Sequence, residues 1–120
     1  MEYFFDSSAI IEIIDQKEAY LKFQDEVLVT NTLNLAEVYN HYLRKHNEQT
    51  ADYWVSNLPF EFLEITKEIA IKGAKFRHKH EKENISYADS IGYETALANN
   101  LLFVTSDERF KEKENADYVS

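Results

Sequence analysis

Cysteine is absent from the 120 residues, which excludes disulfides, thiolate metal sites and a thiol nucleophile. Two glycines, Gly73 and Gly92, and one proline, Pro59, are too few for any glycine-rich phosphate loop. No apolar run approaches the roughly 20 residues that span a bilayer. Met1-Glu2-Tyr3 carries no basic stretch ahead of an apolar one, so no signal peptide is expected and the expected setting is cytoplasmic, away from membranes. Bases are scarce as well: 13 Lys and Arg stand against 22 Asp and Glu, a formal net charge of −9. Such a chain cannot hold nucleic acid through its overall field, because phosphate binding is driven by cationic side chains. Any contact with nucleic acid has to be local.

What is present reads as one globular domain over residues 1–120, with 44% hydrophobic residues and no repeat, low-complexity segment or linker. Short apolar runs alternate with longer stretches of helical period. Strands are expected at Tyr3–Phe5, Val27–Val29, Phe60–Ile65, Leu101–Val104 and Asp117–Val119. Helices are expected at Ser8–Ile14, Lys17–Asp25, Asn31–Asn47, Thr50–Asn57, Lys67–His80 and Ser86–Asn99, with a charged loop over Glu81–Asn84. Strands separated by helices imply a doubly wound α/β/α sandwich around a parallel sheet of four to five strands.

Open α/β sheets bind their ligands beyond the carboxyl ends of the strands, and four acids fall there. Asp6 follows the first strand, Glu37 lies two turns into the helix after the second, Asp89 opens the helix beginning near Ser86, and Asp107 follows the fourth strand. Each has a purely structural explanation. Asp6 suits a helix cap, Ser86-Tyr87-Ala88-Asp89 is a capping-box pattern, Asp107 suits a helix N-terminus, and Glu37 suits a solvated helix face. Convergence of all four needs more. At about 6 Å each pair repels by roughly 3 kcal/mol at an effective dielectric of 20, and a hard divalent cation relieves that. Carboxylates without His or Cys suit Mg²⁺ or Mn²⁺.

The motifs resemble those of the PIN domains, small metal-dependent ribonucleases that include the VapC toxins of toxin–antitoxin pairs. The likeness runs through Phe5-Asp6-Ser7-Ser8-Ala9-Ile10-Ile11, Thr30-Asn31-Thr32-Leu33-Asn34-Leu35-Ala36-Glu37-Val38, Ser86-Tyr87-Ala88-Asp89-Ser90-Ile91-Gly92 and Leu102-Phe103-Val104-Thr105-Ser106-Asp107-Glu108-Arg109-Phe110, in that order. The resemblance implies an endoribonuclease using Mg²⁺ or Mn²⁺, with Asp6, Glu37, Asp89 and Asp107 as metal ligands and catalytic residues. Ser7 and Thr105 position them. It also implies an antitoxin partner and a homodimer. One departure stands out: Arg109 takes a place where many members carry a further acid for a second ion. That departure motivates an alternative from another class, a PIN-fold module that binds RNA or protein without useful cleavage. A phosphorylation receiver lacks its Asp at the end of Phe62-Leu63-Glu64-Ile65-Thr66, and a haloacid-dehalogenase-type phosphatase lacks its second Asp in Asp6-Ser7-Ser8.

The bases are unevenly spread. Lys72, Lys75, Arg77, Lys79 and Lys82 place five of the 13 within eleven residues, either an RNA-backbone strip, assisted by Arg44 and Lys45, or a solvated face. His78 and His80, two apart, do not share a helix face, and His41 and His46 suit surface or packing positions. Among the aromatics, Phe4, Phe5, Phe62 and Phe103 suit the core, while Tyr39, Tyr42, Tyr53 and Trp54 suit core or interface.

Overall fold

A computed structural model describes residues 2–120. Five strands, β1 (Tyr3–Phe5), β2 (Leu28–Thr30), β3 (Phe60–Phe62), β4 (Leu102–Thr105) and β5 (Ala116–Tyr118), alternate with five helices: α1 (Ser7–Ile14), α2 (Thr32–Lys45), α3 (Glu48–Asn57), α4 (Lys67–Lys79) and α5 (Tyr87–Ala98). Every ladder is parallel. β4 pairs with β1 on one side (Phe4 opposite Phe103) and β5 on the other (Val104 opposite Asp117), while β2 pairs with β3 (Val29 opposite Glu61). Among the described residues β1, β4 and β5 form one sheet and β2 and β3 a second with no ladder between the two, but β1 lies against β2, so the strands succeed one another in the order 3-2-1-4-5. This is the doubly wound arrangement, and the strand order reverses between β1 and β4.

Alternation along the strands builds two cores. Phe5, Leu28 and Val104 turn to one face, where they meet Ala9, Ile10 and Ile13 of α1 and Val38 and Tyr42 of α2. Phe4, Val29 and Phe103 turn to the other, against Tyr93 and Ala96 of α5 and Phe110. A period of two in a strand covered on both faces leaves no polar side, which is why these runs are apolar up to the buried Thr30 and Thr105 at their ends. The two glycines mark close approaches. A Cβ at Gly73 would stand 2.6 Å from Ile91, where α4 crosses α5, and one at Gly92 would stand 2.8 Å from the Asn34 amide.

Three elements differ from expectation. The strand expected over 60–65 ends at Phe62, because its partner β2 offers only three residues; the chain then turns so that Thr66 caps α4, its hydroxyl accepting from the Ile69 N–H at 3.1 Å. The helix expected over 17–25 is a 3₁₀ segment, Glu18–Phe23, whose buried side chains Tyr20 and Phe23 are spaced by three, the period at which 3₁₀ side chains align. The charged loop at 81–84 contains one 3₁₀ turn, Glu81–Glu83, closed by Asn84 at φ 59°, a left-handed position that Asn tolerates. Of the aromatics left between core and interface, Tyr42 is buried, whereas Tyr53 is exposed. Among the described residues no helix is long and apolar enough to cross a membrane.

Candidate active site

The carboxyl ends of β1, β2 and β4 open into a cleft of about 510 Å³ whose walls include Ser7, Glu37, Arg44, Asp89, Asp107 and Arg109. Three of the four acids thus face one space. The fourth, Asp6, is 1% exposed and sits directly behind Ser7 and Ser8 of the wall.

Asp6 ends β1 and caps α1. Its Oδ1 accepts from the Ala9 N–H at 2.8 Å and the Ser8 hydroxyl at 2.6 Å, and its Oδ2 accepts from the Thr105 hydroxyl at 2.5 Å. Burial pushes this carboxyl up to about 7, against the pull of those three donors, and the negative charge of Asp89 adds to the rise. The Thr105 oxygen also accepts the Asp107 N–H at 3.0 Å, so one buried hydroxyl links the acids that follow adjacent strands.

Glu37 stands on α2 and its Oε1 accepts from the Ser7 hydroxyl at 2.8 Å. Its carboxyl also lies above the usual range, chiefly through burial, with Ser7 opposing and Asp89 adding. Ser7 is fixed from its other side, where its N–H donates to Asn34 Oδ1 at 2.9 Å. The Asn34 amide in turn donates to Asn31 Oδ1 at 3.0 Å, and Asn31 donates to Thr95 of α5 at 3.3 Å. Asn31 and Asn34 are completely buried. This chain of amides locks α1, α2 and α5 together beneath Glu37.

Asp89 forms the capping box expected from its spacing: its N–H donates to Ser86 Oγ at 3.1 Å and its Oδ2 accepts from the Ser86 N–H at 3.2 Å. Asp107 caps the 3₁₀ turn Glu108–Phe110, its Oδ1 accepting from the Arg109 N–H at 3.0 Å. The Arg109 side chain folds back over both acids. Its Nε lies 2.9 and 3.1 Å from the two Asp107 oxygens, and its Nη2 lies 2.5 Å from Asp107 Oδ2 and 3.3 Å from Asp89 Oδ2. Burial opposes ionisation of Asp107, but the Arg109 donors and charge outweigh it and hold the carboxyl below its ordinary value.

The capping roles expected of Asp6, Asp89 and Asp107 are present, whereas Glu37 is not a solvated helix residue but is half-buried and bonded to Ser7. Asp6 and Asp107 are N-caps and Asp89 is the third residue of the capping box begun by Ser86, so all three stand at N-termini that begin beside the cleft. Several residues of the site went unread in the sequence. Ser8 donates to Asp6 and accepts from the Ser106 N–H at 3.0 Å; Asn31 and Asn34 form the amide chain; His41 lines the cleft, with an Nε2 that is buried and without a partner among the described residues. Burial, then the charge of Lys45, lowers the His41 pKa. Spacing carried a usable signal here, since Glu37, His41 and Arg44 follow at four and three residues along one face of α2. Of the five clustered bases none lines the cleft. Lys72, Lys75 and Lys79 flank a shallow hollow with Phe76 and Glu94, Arg77 stacks 4.3 Å over the Tyr87 ring, and Lys82 sits in the 3₁₀ turn at 81–83.

The donor chemistry suits a hard divalent cation: carboxylate oxygens from three elements in one cleft, a fourth carboxylate behind it, and mutual repulsion felt by Asp6 and Glu37 from Asp89. Among the described residues no three acids or histidines already stand close enough to hold one; two of the four acids are tied to Arg109 instead.

Fold and cleft together define a small parallel α/β protein with three carboxylates facing one cleft at its topological switch point. The chain belongs to the PIN-domain family, whose model matches residues 3–116. Its fold is shared by solved structures of low sequence identity. VapC20 of Mycobacterium tuberculosis, a sarcin–ricin-loop-cleaving toxin, superposes with a TM-score of 0.78 at 11% identity over 94% of this chain and 95% of its own. A chain of a toxin–antitoxin complex from Klebsiella pneumoniae gives 0.74 at 18% identity, covering 97% and 96%. A chain of VapBC2 from Rickettsia felis, bound to a DNA fragment from its promoter, gives 0.72 at 17% with full coverage of both. No curated protein shows a significant sequence match.

Proposed function

We propose that this protein is a metal-dependent endoribonuclease that hydrolyses RNA phosphodiester bonds and serves as the toxin of a VapBC-type toxin–antitoxin pair. The observation that carries the reading is the convergence of Glu37, Asp89 and Asp107 on one cleft with Asp6 bonded into the wall behind it. Asp6, Glu37, Asp89 and Asp107 would hold Mg²⁺ or Mn²⁺, which when bound supplies Lewis acidity and lowers the pKa of a water. The chain's own residues do the positioning. Ser7 fixes the Glu37 carboxylate, Thr105 and Ser8 fix Asp6, and the Asn31–Asn34 amides keep Ser7 from turning. Arg44, on the cleft wall, meets the phosphate backbone, and Lys72, Lys75, Arg77, Lys79 and Lys82 extend a basic track outside it. An antitoxin protein and a second copy of the chain are the partners in this reading; the VapBC assemblies among the structural neighbours support the first.

The test is cleavage of RNA by the purified chain in Mn²⁺, alongside Asp6→Asn and Asp89→Asn. Both variants should remain folded by circular dichroism and lose cleavage by at least about a hundredfold, in the range that loss of a positioned catalytic group produces. Cleavage that persists in both variants, or in excess chelator, overturns the proposal. One observation favours the second reading, a PIN-fold module that binds without cleaving: Arg109 already pairs with Asp89 and Asp107 and offsets part of their charge. Calorimetry separates the two, since a binding module of that kind takes up no Mn²⁺ in the micromolar to low-millimolar range.

A further inference from the structure

The residue that departs from the family pattern also lines the acidic cleft and pairs with two of its acids. Arg109 is held on three sides. Its Nε and Nη2 form a fork on Asp107, its Nη2 reaches Asp89, and its Nη1 donates to the Asn84 carbonyl. That carbonyl is a fixed anchor. The turn before it is pinned by Glu83, whose carboxylate accepts from Lys113 Nζ at 2.7 Å and pairs with His80 at 2.6 Å. The guanidinium is thus a docked group, oriented by the chain 25 residues earlier, rather than a free surface arginine. Arginine presents its donors in a rigid plane that matches two carboxylate oxygens at once.

The contacts are unequal. Both Asp107 oxygens are engaged at 2.5–3.1 Å, whereas Asp89 is reached by a single contact at 3.3 Å, and its Oδ2 also accepts the Ser86 N–H. A divalent cation using Asp89 and Asp107 as ligands draws on carboxylates that Arg109 already engages, at both Asp107 oxygens and at Asp89 Oδ2, and brings two more positive charges beside the guanidinium. The two cations repel across those carboxylates, and the Asp89 contact is the weaker one to open.

We propose that Arg109 is an internal competitor of the divalent cation: it pairs with Asp89 and Asp107 when no cation is bound, offsetting part of their charge, and gives up its Asp89 contact when a cation binds. This rests on the metal-dependent reading above and deepens it, because it sets the cation concentration at which the site fills. It makes Arg109 a positioning residue whose removal improves one property of the site while impairing another.

The experiment is calorimetric titration of Mn²⁺ into the chelator-treated protein and its Arg109→Gln and Arg109→Lys variants, with thermal melts of each at zero and saturating Mn²⁺. Arg109→Gln should bind Mn²⁺ about tenfold more tightly, the range expected when a charge-assisted hydrogen bond no longer has to be broken. It should melt lower than wild type without Mn²⁺ and gain more from its addition. Arg109→Lys keeps the charge without the fork and should fall between; it carries the test by itself if Arg109→Gln does not fold. A purely structural arginine would lower the melt and leave the Mn²⁺ affinity unchanged. Equal or weaker Mn²⁺ binding by the variants, with wild type binding normally, overturns this proposal alone. Absence of binding in wild type and variants alike overturns it together with the metal-dependent reading.

Discussion

Asp6 and Asp107 follow adjacent strands and share one bridging hydroxyl, that of Thr105, yet opposite means hold them. Asp6 is sealed behind the cleft wall and satisfied by two hydroxyls and a backbone N–H, all neutral donors. Asp107 stands in the cleft and is satisfied by a guanidinium. Their titrations diverge accordingly: burial raises Asp6 to about 7 despite its donors, while Arg109 holds Asp107 below its ordinary value despite burial. Hydrogen bonds from neutral groups orient a buried carboxylate without repaying its desolvation, whereas a nearby full charge outweighs it. The cleft thus has one acid prone to protonate behind its wall and one within it that stays ionised.

The largest expected effect follows from Asp6. Its folded value lies above the ordinary 3.8, so between pH 4 and 7 the folded protein binds a proton that the unfolded chain has released. Stability contributed by protonated Asp6 is complete below pH 4 and is lost as pH rises to 7. At 1.36 kcal/mol per pH unit the loss is about 4 kcal/mol. Asp107 runs the other way: its contribution is present above its ordinary value and disappears as pH falls through the lowered one. Urea melts of chelator-treated protein from pH 3 to 8 should show stability declining above pH 4 in wild type, and most of that decline should vanish in Asp6→Asn, whose amide oxygen still accepts from Ala9. A smaller slope from Glu37 should persist, since its carboxyl is raised too. If Asp6→Asn leaves the wild-type slope intact, the buried wall is not the acid that titrates.

Thr105→Val sharpens the contrast at lower cost. The change is nearly isosteric but strips Asp6 Oδ2 of its donor and the Asp107 N–H of its acceptor. Leaving buried polar groups unpaired costs about 1–3 kcal/mol. Because the Thr105 hydroxyl pulls the Asp6 pKa down, its loss should also move the Asp6 titration to higher pH, readable from the side-chain carboxyl carbon by NMR. An unchanged titration would show that burial alone governs Asp6.

Much of this arrangement was legible in the chain. The alternation of apolar runs with helical stretches placed every strand and helix in order, and the spacing of Ser86 to Asp89 announced its capping box. The four acids could be placed at strand ends because parallel α/β topology puts those ends on one edge. What could not be read depended on contacts distant in sequence. Asn34 looks like an ordinary polar helix residue until its amide is found 27 positions away on Ser7. Arg109 reads only as a missing acid, because its reach to Asn84 and Asp89 depends on how a 3₁₀ turn closes across the sheet edge. The shortening of β3 to three residues is likewise a property of its partner, not of Phe60–Ile65 itself.

The smallest effect separates Arg44, which among the described residues lines the cleft without pairing its acids as Arg109 does, from the bases outside it. Arg44 lines the acidic space on the same face of α2 as Glu37, while Lys72, Lys75 and Lys79 flank a separate hollow partly balanced by Glu94. Each phosphate contact with single-stranded nucleic acid adds about 0.7 to the slope of log affinity against log salt. Arg44→Ala should therefore lower the salt slope of RNA binding by about 0.7. Lys72→Glu, Lys75→Glu and Lys79→Glu should each lower it by less, because these side chains act from beyond the cleft and are screened over roughly 10 Å at 0.1 M salt. RNA filter binding from 50 to 300 mM salt measures both. Should the triple lysine reversal leave the slope unchanged, α4 carries a solvated face and Arg44 is left as the base through which an acidic protein meets RNA.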